Sequence, residues 1–216
     1  MWERSHSAGN PRMASSAVLR PYRPADREAL IDICVRTGHE GGDARPFYPD
    51  HELLPSIFAE PYAVLEPELA FVVEDGGRAV GYVLGTADTA AFCRRFREEW
   101  LPRVAARYPA PAGPPASSTE VMCDLLHRPE RMVLGELDAY PAHLHIDLLP
   151  GNQRQGHGRR LMAAYLDALR VRRVTGVHLG MVTANTPARA FYDRLGFHQI
   201  PVADPGPLTC LGLRLD

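Results

Sequence analysis

The chain has 216 residues, 45% of them hydrophobic and 23% charged, with a formal net charge of −2 and an isoelectric point near 6.5. Those values describe a chain able to bury one sizeable core. They exclude the basic footprint of a nucleic-acid binder, and no apolar run approaches the roughly 20 residues needed to span a bilayer. All 24 cations are arginine, and the absence of lysine rules out both a phosphate-loop lysine and a Schiff-base mechanism.

Residues 1–16 are polar, lack the apolar stretch of a secretory signal and read as a disordered leader, with Met13 as an alternative start and a cytoplasmic setting implied. Cys34, Cys93, Cys123 and Cys210 are scattered without paired spacing, which fits free thiols in a reducing compartment and no metal site. Residues 17–216 are expected to form a single domain. A first strand is predicted over 18–22, then a helix with Asp26 as N-cap, Ala29, Leu30, Ile33 and Cys34 as its apolar stripe, and Gly38 as its C′ residue. Loop is expected over 41–49 and a shorter helix over 51–59. Apolar runs at 69–74 and 79–85 flank Asp75-Gly76-Gly77-Arg78, a hairpin signal. Residues 87–137 interrupt this pattern and read as an insertion with helices at 91–108 and 118–127 around a proline-rich tip. Its aromatics Phe92, Phe96, Trp100 and Tyr108 recur at helical spacing and read first as packing, second as contacts to a substrate.

The next predicted strand, 143–149, places His143, His145 and Asp147 on one face and Leu144, Ile146 and Leu148 on the other. Three polar groups on one strand face are costly to bury unpaired, so that face is expected to line a wet cleft. An amphipathic helix over 156–173 carries Leu161, Met162, Tyr165, Leu166 and Leu169 on one side. A strand at 177–182, a helix bracketed by Thr186 as N-cap, Pro187 and Gly196, and a strand at 208–214 complete the chain. The order describes an α/β (α+β) domain with a mixed sheet.

Between strand and helix lies Gln153-Arg154-Gln155-Gly156-His157-Gly158. Glycines there bring backbone N–H groups close to a ligand at a helix N-terminus, where negative charge is favoured. It is not the dinucleotide fingerprint, because Leu161 holds the third glycine position. The loop resembles motif A of the GNAT superfamily, Q/R-x-x-G-x-G/A, and Asn185, Ala188, Phe191-Tyr192 and Leu195-Gly196-Phe197 resemble that family's second signature. A narrower resemblance, carried from Leu19-Arg20-Pro21-Tyr22 onward by Phe71–Asp75, Gly81-Tyr82-Val83-Leu84-Gly85-Thr86-Ala87-Asp88 and Trp100-Leu101-Pro102, is to the acetyltransferase-like C-terminal domain of eukaryotic protein O-GlcNAcase. That domain is regarded as a pseudo-acetyltransferase with a degenerate cofactor loop; here Gly156 and Gly158 are kept, and sugar hydrolysis is not expected.

The resemblance implies a GNAT fold: a mixed, mostly antiparallel central sheet flanked by helices, here with a helical insertion. It implies acetyl-CoA as co-substrate and transfer of acetyl to a primary amine by direct attack, with a silent acetyl-CoA sensor or interaction module as the alternative. A homodimer is compatible with it; nucleic-acid and membrane partners are not expected. Under it, the backbone of Gln153, Arg154, Gln155, Gly156, His157, Gly158 and Arg159 holds the pyrophosphate, with Arg154 and Arg159 adding charge or simply facing solvent. Leu148 and Leu149 bond the pantetheine arm and Asn185 contacts it. Tyr192 is the family position for the general acid. Asp147 or His145 accepts the amine proton, or Asp147 binds the amine; alternatively the histidine and aspartate satisfy each other.

Overall fold

The computed structural model describes residues 17–215, so the leader expected over 1–16 lies outside the described residues. Strand β1 (Val18–Pro21) is followed by α1 (Arg27–Thr37), α2 (Pro55–Phe58) and α3 (Glu60–Leu65), then by the hairpin β2 (Phe71–Asp75) and β3 (Arg78–Thr86). Helix α4 (Thr89–Arg95) runs through a π-helical segment, Phe96–Trp100, into α5 (Leu101–Val104), and α6 (Ser118–His127) follows. The last part comprises β4 (Ala142–Leu148), α7 (His157–Val171), β5 (Gly176–Val182), α8 (Thr186–Asp193), β6 (His198–Gln199) and β7 (Leu208–Arg214). One seven-stranded sheet has the order β1-β2-β3-β4-β5-β7-β6. Its pairs are antiparallel except β4 with β5.

Alternation along the strands divides the core between the two sheet faces. Tyr82 and Leu84 of β3 point to the face covered by α1 to α6 and pack with Leu30, Ile33, Tyr62 and Phe92. Val83 points the other way and joins Leu144, Leu161, Met162, Tyr165 and Val177 under α7 and α8. Phe92, Phe96, Trp100 and Tyr108 of the 87–137 segment are all buried in the first of these cores, as the packing reading expects. Trp100 also donates from Nε1 to the Ser56 carbonyl at 2.8 Å.

Several local expectations are corrected. Asp26 precedes α1, but its side chain does not cap it; the carboxylate takes both terminal nitrogens of Arg20 at 2.7 Å and the Arg23 amide at 2.8 Å. Gly38 is right-handed (φ −76°), and what it avoids is a clash, since a Cβ there would lie 2.7 Å from the Cys34 carbonyl. The helix expected over 51–59 begins at Pro55, and a second, α3, follows across Pro61 at its N-terminal turn, where a missing N–H costs nothing. The helix expected over 91–108 starts earlier, with Asp88 capping the Ala91 amide at 2.9 Å, and relaxes into the π segment before Pro102, whose absent N–H interrupts the ordinary ladder. Asn185, not Thr186, caps α8, and the two-residue β6 had no visible pattern of its own.

Candidate active site

The site begins where β4 and β5 part. They pair only at Ala142–Val177 and His143–His178. The Leu149 amide bonds the Val80 carbonyl at 2.9 Å, which sets the odd-numbered residues of β4 toward β3. The backbone groups of Ile146 and the amide of Leu148 therefore face the gap beyond the last β5 pair, the Leu148 carbonyl accepting from the Gln153 side chain at 2.9 Å. Leu149 has both backbone groups engaged, its amide on Val80 and its carbonyl on the Asn152 amide at 2.8 Å. Ile146 is a gap-facing residue that strand parity could have revealed.

At the end of that edge the chain turns into α7. Arg154 (φ 58°) and Gly156 (φ 82°) are both left-handed, an alternation that turns successive amides inward as an anion-binding nest. The amides of residues 154–159 have no acceptor among the described residues; the first helical bond is Arg160 N to Gly156 O, 3.1 Å. A Cβ on Gly158 would press to 3.3 Å from the Phe191 ring, so this glycine lets α7 approach α8. Gln153 and Gln155 brace the loop from within, donating to the carbonyls of Leu148 and Gly151 at 2.9 Å each. Arg154 and Arg159 are exposed and in no ion pair among the described residues. The His157 ring is buried with neither nitrogen hydrogen-bonded, which leaves its backbone available to a ligand.

The polar face of β4 is not uniformly wet. His143 is buried and fully paired, to Thr89 Oγ1 and to the Tyr62 hydroxyl at 2.8 Å each. His145 and Asp147 are half-buried. His145 Nε2 lies 3.2 Å from the Tyr62 hydroxyl, and Asp147 accepts the Tyr82 hydroxyl at 2.7 Å, so the two are not satisfied by each other. Burial lifts the Asp147 carboxyl to about 6 against the pull of the Tyr82 hydrogen bond. Burial likewise pushes His145 down to about 4, with Arg131 contributing, and keeps it neutral. Tyr62 and Tyr82 are site residues that sequence reasoning missed, since each lies more than 60 positions from the group it bonds.

Tyr192 projects from α8 among Phe191 and Phe197. Burial raises its phenol, and the Asp147 charge raises it further, which places both groups within electrostatic reach. The phenol has no hydrogen-bond partner among the described residues. Asn185 is occupied otherwise: Oδ1 accepts the Ala188 amide at 3.2 Å, and Nδ2 reaches the Glu40 carbonyl at 3.5 Å. No helix of the described residues is long and apolar enough to cross a membrane.

Known proteins align with this geometry. A model of the acetyltransferase (GNAT) family matches residues 127–197, the stretch from the end of α6 through α8. Protein O-GlcNAcase from Rattus norvegicus is 26% identical over 201 residues, covering 91% of the chain, and its Mus musculus counterpart gives the same figures. The chain spans 22% of the length of each. The solved structure of SsHAT is 61% identical with a TM-score of 0.90, covering 93% of this chain and 99% of that one. The fold is shared with yncA from Salmonella typhimurium, solved with its cofactor acetyl-CoA, at 16% identity and a TM-score of 0.55 over 93% of this chain and 95% of that one.

Proposed function

The chain belongs to the GNAT acetyltransferase family, and on that premise we propose that it transfers acetyl from acetyl-CoA to a primary amine by direct attack. The observation that carries this reading is the open stretch of β4 leading into the unpaired amides at the start of α7. Those amides, from 154 to 159, suit a pyrophosphate, and the backbone of Ile146 and Leu148 suits an extended amide-bearing arm. Acetyl-CoA supplies the acetyl group activated as a thioester.

The chain's own residues do the rest. Asp147, ionised at neutral pH, binds the incoming ammonium and takes its proton, since a carboxylate lifted toward neutrality is a better base than an ordinary one. Tyr192, kept protonated by burial, gives its proton to the departing thiolate. His145 and Asp147 lie on the acceptor side, two positions apart on one strand face. No cysteine lies in the loop or in α8, and the thiol of Cys34, beside Tyr82 and Asp147, is buried and held protonated, which favours direct attack over a covalent relay.

Calorimetric titration with acetyl-CoA tests the cofactor half, alongside a Gly156→Glu, Gly158→Glu double variant. Saturable binding by the wild type that the variant loses supports the assignment. A folded wild type that binds nothing overturns it. A thiol-release screen over primary amines tests turnover. The similarity to part of O-GlcNAcase favours a second reading, an acetyl-CoA-binding module without turnover, for which binding persists and no amine releases thiol.

A further inference from the structure

A buried file of side chains runs from the start of α4 to the acceptor face of β4. Thr89 Oγ1 lies 2.8 Å from the Pro141 carbonyl oxygen and 2.8 Å from His143 Nδ1. His143 Nε2 lies 2.8 Å from the Tyr62 hydroxyl, which lies 3.2 Å from His145 Nε2. One end of this file fixes the direction of every bond in it. A carbonyl oxygen only accepts, and two oxygens at 2.8 Å repel unless a proton lies between them, so Thr89 donates to Pro141. Thr89 then accepts from His143, whose proton sits on Nδ1 and whose Nε2 must accept. Tyr62 has one proton and gives it to His143; the Met132 sulfur, at 3.9 Å, is too distant to compete. The Tyr62 oxygen is left to accept from His145, which therefore carries its proton on Nε2. Burial keeps both imidazoles neutral. His145 Nδ1 has no partner among the described residues and is not sealed from solvent.

We propose that Thr89, His143 and Tyr62 are positioning residues that lock His145 as its Nε2–H tautomer, so that a bare Nδ1 accepts a hydrogen bond from the acceptor nitrogen beside the Asp147 carboxylate. The acceptor's identity rests on the acetyl-transfer reading; the tautomer does not. The consequence is a preference of substrate class. The cleft offers two acceptors, His145 Nδ1 and Asp147, whose Tyr82 partner already uses that hydroxyl's proton. A primary amine that has given its ammonium proton to Asp147 keeps two N–H groups, one for His145 Nδ1 and one for the carboxyl oxygen that did not take the proton, and its lone pair stays free to attack. A hydroxyl has one hydrogen and leaves an acceptor unmet, which disfavours it.

Long-range proton–nitrogen correlation spectra of the ¹⁵N-labelled full chain at pH 7.5 read the tautomers directly, without any ligand. The expected wild-type result is Nδ1–H for His143 and Nε2–H for His145, with His178 as an internal standard, since its Nδ1 faces the Tyr140 carbonyl at 2.7 Å. Tyr62→Phe should release His145 into a tautomer mixture while His178 is unchanged, and Thr89→Val should act likewise where Thr89→Ser does not. Tyr62→Phe should also lower kcat with an amine by about tenfold, without changing acetyl-CoA affinity. Wild-type His145 protonated on Nδ1, or a single Nε2–H tautomer surviving both Tyr62→Phe and Thr89→Val, overturns the proposal. Should Tyr62→Phe not fold, the wild-type spectrum and the Thr89 pair decide. Absence of acetyl-CoA binding with the expected tautomers intact would instead sink the acetyl-transfer reading alone.

Discussion

At Asp147 the demands of stability and of chemistry oppose each other. Its carboxyl titrates near 6 in the folded chain and near 3.8 when unfolded, so between those values the folded state holds the extra proton and stability falls as pH rises. The ionised group thus costs up to about 3 kcal/mol at neutral pH. Asp147→Asn removes that cost and keeps an oxygen for Tyr82. It should raise the melting temperature at pH 7 while lowering kcat by about 100-fold or more, with acetyl-CoA affinity unchanged. A purely structural aspartate would show neither the gain nor the loss. In the wild type, kcat/KM should decline as pH drops through about 6, where the base becomes protonated. His157 makes a simpler case. A buried imidazole without partners forgoes its hydrogen bonds to water, so His157→Leu should stabilise the chain by about 1 kcal/mol in urea titrations and leave cofactor binding intact.

Among the elements, the continuous helix from Thr89 to Val104 depends on one anchor, Trp100, whose indole packs in the core and donates to Ser56. Trp100→Phe leaves that buried carbonyl unmet and a gap beside it, for an expected loss of about 2–3 kcal/mol in denaturant unfolding. Acetyl-CoA affinity should not follow, because α7 lies on the other sheet face. Elements with a local signature were legible in the sequence. The β2–β3 hairpin announced itself through its glycine turn and α7 through its apolar stripe. Misreadings arose where a residue type had two uses. Asp26 looked like a cap and serves Arg20, and Thr186 looked like the cap that Asn185 supplies. The loop and Tyr192 stand where motif spacing placed them, but the partners of His143 did not follow from spacing. Tyr62 and Thr89 reach it from helices 81 and 54 positions away, and only tertiary packing brings them together.

For the molecule as a whole, the polar filling of the sheet sets its response to acid. His143, His145 and His178 are all held below their ordinary value by burial. The unfolded chain therefore binds protons that the folded one refuses, and stability falls as pH drops below about 6.5. Each histidine contributes a slope of about 1.4 kcal/mol per pH unit until its own folded value is reached. Asp147, Glu60 and Glu66, whose carboxyls burial raises, act in the opposite sense and blunt the total. The urea midpoint should decrease from pH 7 to pH 5. His178→Asn, which keeps a donor for the Tyr140 carbonyl, should flatten that decline by about the share of one histidine.

The early parting of β4 from β5 leaves a sheet edge in the middle of a seven-stranded sheet. In hydrogen-exchange terms the amides of Ile146 and Leu148 should behave as surface amides although their neighbours on β3 are among the slowest in the chain. Under the proposed function, a bound extended arm takes the place of the missing strand there. Protection of those two amides should therefore appear on adding acetyl-CoA and scale with its concentration, tying the global stability of the fold to the supply of its own co-substrate.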